Sequence, residues 1–255
     1  MGIAGVAEMR LTLGEPRYLK ESVSIISDLV TEGRFKISNN SIQLVAMDPA
    51  NVAMVIFNLL ASCFTEYNIN KDMEIAINLS NLKQILRRAK PEDILSLELG
   101  DNKLKIIMRS NTLRSFSLPI IDLEEKEQKI PELKFPVSIK TSSAILSDAI
   151  EDADIVAEAV TFLVEPKRLT VLGEGDLSQV KIEIKSDDET KIEFDSSDKI
   201  KAKYSIEYLK KMITASKLTD DVIIRLNNDY PLKLEYNLID KLQLTFILAP
   251  RVEND

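Results

Sequence analysis

The chain carries one pattern twice. From Leu82 it reads LKQILRRAKPEDILSLELGDNKLKI, and from Leu209 it reads LKKMITASKLTDDVIIRLNNDYPLKL. Leu82 and Lys83 fall on Leu209 and Lys210, Lys90 falls on Lys217, and Asp93 falls on Asp220, at a constant offset of 127 residues. A looser match sets the stretch from Asn39 to Asp48, with Val52, against that from Lys167 to Asp176, with Val180. Each copy of a duplicated chain must form the same unit, so the 255 residues divide into two domains, each long enough to bury its own core. The charged segment DLEEKEQKIPELKFP, residues 122–136 with Pro131 and Pro136, separates them as a linker. The expected division is residues 1–121, a connector 122–136, and residues 137–255.

Residue types narrow the chemistry. The chain has no histidine, which removes the commonest general base and the commonest metal ligand, and with them any Ser-His-Asp or Cys-His arrangement. Its single cysteine, Cys63, allows neither an internal disulfide nor a cysteine zinc site. GEGD at residues 173–176 lacks the Lys-Ser/Thr that would make it a nucleotide loop. The expectation is a scaffold rather than an enzyme, with no cofactor and no metal. No apolar run reaches the roughly 18 residues of a membrane span. Residues 1–8 (MGIAGVAE) are too short for one and lack the basic start of a signal peptide, so an intracellular protein with no membrane partner is expected.

Four segments have helical periodicity. Residues 17–31 align Leu19, Val23, Ile26 and Val30. Residues 80–90 align Leu82, Ile85, Leu86 and Ala89 behind Ser80 as N-cap. Residues 142–153 align Leu146, Ala149, Ile150 and Ala153, and residues 205–217 align Leu209, Met212 and Ile213 behind Ser205. Most of the remainder alternates with period two, as in Leu95–Leu99, Leu104–Ile106, Val180–Ile184 and Leu232–Tyr236, the pattern of antiparallel strands with one wet face. The turn-rich SDDET at 186–190 reads as a solvated hairpin tip. The predicted fold class is α+β: two repeated domains, each an antiparallel sheet backed by two helices.

A net charge of −8 argues against nucleic-acid binding when taken alone, but its distribution does not. Residues 80–90 carry Lys83, Arg87, Arg88 and Lys90 with no acid, and residues 205–217 carry Lys210, Lys211 and Lys217 against Glu207. One lysine-rich helix is only a solvated face. Two of them at equivalent places in an acidic, duplicated chain form a surface that can touch phosphates without reading bases. Tyr204 and Tyr208 are too isolated to stack successive bases, which favours duplex over single strands.

LVAMDPANVAMV (44–55), INLSNLKQILRRAKPEDIL (77–95), IDLEEKEQKIPE (121–132), YPLKLEY (230–236) and ILAPRVE (247–253) resemble, in order and spacing, segments of sliding clamps of the proliferating cell nuclear antigen type, in archaeal form. The resemblance implies a ring of three subunits, homomeric or heteromeric, with helices lining a channel around double-stranded DNA. The ring would act as a processivity factor and a docking platform for polymerase, flap endonuclease and ligase, and a clamp loader would open it. Channel residues would be Lys20, Lys83, Arg87, Arg88, Lys210, Lys211 and Lys217. Neighbouring subunits would meet through the edge at 112–118, with Thr112, Arg114 and Phe116, and the edge at 179–185, with Val180, Ile182 and Ile184. Partner peptides would enter a groove made by Met47, Ile130, Pro131, Pro231, Ala249 and Pro250, extended by the backbone at Arg251 and Val252. The implied location is the cytoplasm, on the nucleoid, for an archaeal protein, and the nucleus for a eukaryotic one.

Gln128, Asn51 and Ile247 depart from frequent family residues, which bears on partner preference. Asp148 and Glu151 stand where basic residues are frequent, a hint of a mixed ring. Two other readings compete. One is a clamp-like checkpoint or regulatory protein that forms no ring. The other is an enzyme in which Asp148, Glu151, Asp152 and Asp154 gather Mg²⁺ for phosphoryl transfer.

Overall fold

The computed structural model describes residues 8–124 and 128–251. Three features of the sequence reading therefore lie outside the described residues: most of the apolar start at 1–8, the centre of the 122–136 linker, and Val252 at the end of the candidate groove.

The first half runs β1 (Met9–Leu13), α1 (Arg17–Ser27), β2 (Glu32–Ile37), β3 (Ser41–Met47), β4 (Ala53–Leu60), β5 (Glu66–Ile69), β6 (Met73–Asn78), α2 (Leu79–Leu86), β7 (Ile94–Gly100), β8 (Lys103–Arg109) and β9 (Leu113–Pro119). The second half runs β10 (Val137–Ser142), α3 (Ser143–Asp154), β11 (Ala159–Glu165), β12 (Arg168–Glu174), β13 (Gln179–Lys185), β14 (Lys191–Phe194), β15 (Ile200–Ser205), α4 (Ile206–Ile213), β16 (Asp221–Leu226), β17 (Leu232–Leu238) and β18 (Leu242–Leu248). The element order is the same in both. So is the strand order: β5-β1-β7-β8-β9 is matched by β14-β10-β16-β17-β18, and β4-β3-β2-β6 by β13-β12-β11-β15. The registered pairings are antiparallel, as period-two alternation requires. Single hydrogen bonds repeat as well. Leu79 N–H donates to Thr31 O at 2.8 Å, and Ile206 N–H, 127 residues on, donates to Glu158 O at 3.0 Å.

By packing, the chain forms two compact units. One holds residues up to Ala46, Ile56–Lys129 and Leu238–Gln243. The other holds Met47–Val55, Ile130–Asn237 and the residues from Leu244 on. The unit boundaries therefore fall within β3, β4, β17 and β18, whose two ends belong to different units. In the first unit α1 packs beside α2, and in the second α3 packs beside α4. Each helix turns its apolar stripe inward: Leu82 and Leu86 are buried in α2, and Leu209, Met212 and Ile213 in α4. Each such side chain contributes about 1.5–3 kcal/mol when fully buried.

Helix ends differ from the sequence expectation. α2 starts at Leu79, and its N-cap is Asn78, whose Oδ1 accepts from Asn81 N–H at 2.9 Å; Ser80 lies inside the first turn. Asn78 is extended and already ends β6, so its side chain meets the free amides first. Ser205 occupies the N-cap position of α4 without a side-chain cap bond. α1 stops at Ser27 rather than 31, although Leu29 and Val30 remain buried. Residues 214–217 continue α4 as a 3₁₀ turn. The SDDET tip links β13 to β14 through an Asx turn in which Asp187 Oδ1 accepts from Glu189 and Thr190 N–H. In GEGD, a Cβ at Gly175 would collide with the Val156 carbonyl, so the glycine is required by close backbone approach and not by a phosphate.

Candidate functional site

The basic residues singled out from the sequence lie on the helices, and the structure separates them into two kinds. Arg87 and Arg88, just past the end of α2, are exposed and make no side-chain hydrogen bond or ion pair with a described residue. Lys83 and Lys210 are engaged. Lys83 Nζ lies 2.6 Å from Asp28 Oδ1, and Lys210 Nζ lies 2.6 Å from Asp154 Oδ2. Each acid sits at the C-terminal end of the neighbouring helix: Asp28 is the C-cap of α1 and Asp154 the last residue of α3. A carboxylate is disfavoured there by the helix dipole, and the lysine offsets it. Lys20 Nζ donates to Ala89 O at 2.9 Å, Lys211 pairs with Glu207 at 3.3 Å, and Lys217 is exposed. The sequence reading missed the roles of Asp28 and Asp154. The signal was present, because in each half an aspartate lies about 55 residues before the matched lysine.

The acidic face of α3 gathers no metal site. Asp148, Glu151 and Asp152 are exposed and Asp154 is held by Lys210. Among the described residues no group of three or more acidic, cysteine or histidine side chains is placed to hold an ion.

The two candidate edges are true edges. β9 ends its strand order beyond β8, and β13 ends its order beyond β12. They share one exposure pattern, an alternation of exposed and half-buried residues ending in a single buried side chain (Leu118, Ile184). Phe116, Val180 and Ile182 are therefore only half covered, Ile184 is buried, and Thr112, before β9, is exposed. Arg114 turns into its own unit. Its guanidinium donates to Arg88 O at 2.9 Å and to Asp93 Oδ2, and Asp93 is fully buried. Burial alone would push the Asp93 carboxyl up. The Lys90 N–H and the Arg114 and Ser110 side chains outweigh it and hold the carboxyl below the usual range.

The candidate groove residues all belong to the second unit. Met47 is half-buried at the end of β3, Ile130 is 52% exposed and Pro131 exposed, and Pro231, Ala249 and Pro250 are half-buried. Ala249 N–H donates to Val52 O at 2.9 Å, which lays the C-terminal segment along the loop after Met47. The Phe135 ring meets Tyr230 edge-on at 5.8 Å, and Asn227 Nδ2 lies 3.4 Å from Lys134 O, bringing the segment after Pro131 beside the one that carries Pro231.

Asp48 organises this loop. Its carboxylate accepts from Ala50, Val52 and Ala53 N–H at 2.7–3.1 Å and from the Tyr208 hydroxyl of α4 at 2.6 Å, with Asn51 in the left-handed region at φ 57°. Burial raises the Asp48 carboxyl, but these donors, Ala53 first and Tyr208 next, leave it lowered. The same bond pushes the Tyr208 phenol up to about 12. A lowered folded-state pKa means that stability is present above the unfolded value near 3.8 and lost as pH falls through the folded one. Asp48→Asn should therefore cost about 1–2 kcal/mol at neutral pH, with the deficit shrinking as pH falls through the lowered folded-state pKa in urea titrations followed by circular dichroism. A constant deficit at all pH values would show that the charge is not what holds the loop.

Comparison with known proteins covers residues 8–251 of the chain. The family model for the proliferating cell nuclear antigen N-terminal domain matches residues 8–128, and that for its C-terminal domain matches residues 129–251. The DNA polymerase sliding clamp of Nanoarchaeum equitans is 37% identical over 247 residues, covering 95% of this chain and 99% of that one. DNA polymerase sliding clamp 1 of Thermococcus kodakarensis is 36% identical over 232 residues, 91% of this chain and 93% of its own. Among solved structures, the proliferating cell nuclear antigen of Thermococcus kodakaraensis superposes with a TM-score of 0.89 at 28% identity, over 95% of this chain and all of that one. That of Entamoeba histolytica, at 22% identity, shares the fold with a TM-score of 0.90. With both domain models matched end to end and the duplicated topology in place, the chain belongs to the proliferating cell nuclear antigen family of sliding clamps.

Proposed function

We propose that this chain is one of three subunits of a closed ring that encircles duplex DNA and holds a DNA polymerase on its template. Retention by such a ring is topological, so a net-acidic chain can act on DNA provided its inner surface is cationic. The observation that carries the reading is the repeat itself. The same helix position in each half presents cations, and just past α2 come Arg87 and Arg88, which have no ion pair with a described residue. Contacts of that kind touch backbone phosphate without sequence preference. The chain performs no chemistry; it supplies a track and a platform. Its neighbours, whether copies of itself or sister chains, join through β9 and β13. Enzymes of replication and repair, flap endonuclease and ligase among them, dock by an apolar peptide on the surface around Met47, Ile130, Pro131, Pro231, Ala249 and Pro250, and a loader opens the ring. In an archaeal cell this places the protein in the cytoplasm, on the nucleoid.

Neutralising Lys83, Arg87, Arg88 and Lys210 together by glutamine should lower stimulation of a clamp-dependent polymerase at least tenfold and flatten its salt dependence, with native mass unchanged. Undiminished stimulation by an intact assembly would remove α2 and α4 from the DNA-facing surface.

A further inference from the structure

We propose that Asp28 and Asp154 are built-in competitors of DNA phosphate: each occupies the lysine on the helix beside it and so caps the grip of the clamp on duplex. The inference rests on the DNA-facing role given above to α2 and α4. The matched lysines of the two repeats, Lys83 and Lys210, are both paired at 2.6 Å to a carboxylate, and each carboxylate comes from the end of the adjacent helix. The arrangement occurs in both halves although α1 and α3 otherwise differ in sequence, with Arg17 and Lys20 on one and no cation on the other.

The pairs are poised for exchange. The Lys83 side chain is 26% exposed and Asp28 42%, and the corresponding values for Lys210 and Asp154 are 48% and 39%. Ion pairs this open are weak, so an arriving phosphate can displace the carboxylate at little cost. The carboxylate stays within reach, repels the phosphate, and recaptures the lysine when the phosphate moves on. Arg87 and Arg88 carry no such acid and supply the steady attraction. A sliding ring needs this division, because a lysine that never lets go turns a track into a brake.

The test measures association of the full-length protein with a short fluorescent duplex by anisotropy across a salt series. The variants are Asp28→Asn with Asp154→Asn, Asp28→Glu with Asp154→Glu, and the first pair combined with Lys83→Gln and Lys210→Gln. The asparagine pair should bind at least tenfold more tightly at low salt, with a log K against log salt slope steeper by up to roughly 0.9 for each lysine freed. The glutamate pair should return towards the parent, and the quadruple variant should lose the gain. Parent-like binding by the asparagine pair, with a native circular dichroism melt, overturns the competition while leaving the DNA-facing reading intact. A gain that survives loss of the lysines overturns it too, because general charge reduction would then be the cause. Absence of salt-dependent duplex binding in the parent and in every variant overturns both this inference and the reading beneath it.

Discussion

Phe116→Asp combined with Ile182→Asp should abolish assembly while leaving each chain folded. Both side chains are half covered on strands that lack a neighbour on one side. A chain joined edge to edge would bury them, and a buried carboxylate without a partner costs several kcal/mol. Association should weaken by a factor on the order of 100 or more, equivalent to about 3 kcal/mol. Native mass spectrometry, on the chain alone and mixed with any sister clamp chains, should read three-chain assemblies for the parent and single chains of 28.7 kDa for the variant. A variant that still assembles would show that the joint lies elsewhere on the molecule. Polymerase stimulation should fall with assembly, since an open chain encircles nothing.

Arg114→Ala should be the most destabilising single change on the β9 edge. Among the described residues the guanidinium is the only cation bonded to the fully buried Asp93, and it also takes the Arg88 carbonyl just past α2. Removing it strands a carboxylate in the interior, a loss of about 2–4 kcal/mol and about 10 °C in Tm. Without the cation, burial governs the Asp93 carboxyl and its pKa rises. The deficit should therefore be full at neutral pH, begin to shrink as pH falls through the raised pKa of the variant, and close only below the lowered pKa of the parent, where both proteins hold the group neutral. Asp93→Asn in the same chain should recover part of the loss at pH 7. Equal deficits at pH 7 and pH 3 would assign the effect to lost packing of the arginine stem.

The helices that carry the candidate DNA contacts were legible because their apolar spacing and their lysines repeat together. Leu82 with Lys83 and Leu209 with Lys210 give both the buried and the outward position. The stretches 112–118 and 179–185 were legible as strands from alternation and as edges only through the family resemblance, since alternation says which side is wet and nothing about a missing neighbour. Strands β1, β4, β5, β10, β11, β15 and β18 escaped the period-two reading. β18, LQLTFIL, is buried at every position but Gln243, so its hydrophobicity does not alternate. The ion pairs Lys83–Asp28 and Lys210–Asp154 and the Tyr208–Asp48 bond join residues 55, 56 and 160 positions apart. Only the packing of one helix on another, or of α4 against the loop after β3, brings them together. Arg114 was assigned to the subunit edge by resemblance alone, and nothing in the sequence announced that its long stem lets the guanidinium fold back to satisfy a buried charge.

The free margins β9 and β13 are different strands from different halves of the chain. A molecule that joins its neighbours through them does so tail to head, never by a two-fold handshake. Every copy then points the same way around the circuit, and the two sides of the resulting washer are chemically distinct. In the ring proposed above, an enzyme that reads only one of them would meet the DNA in a fixed orientation, with its direction of travel set by the order of strands in a single polypeptide.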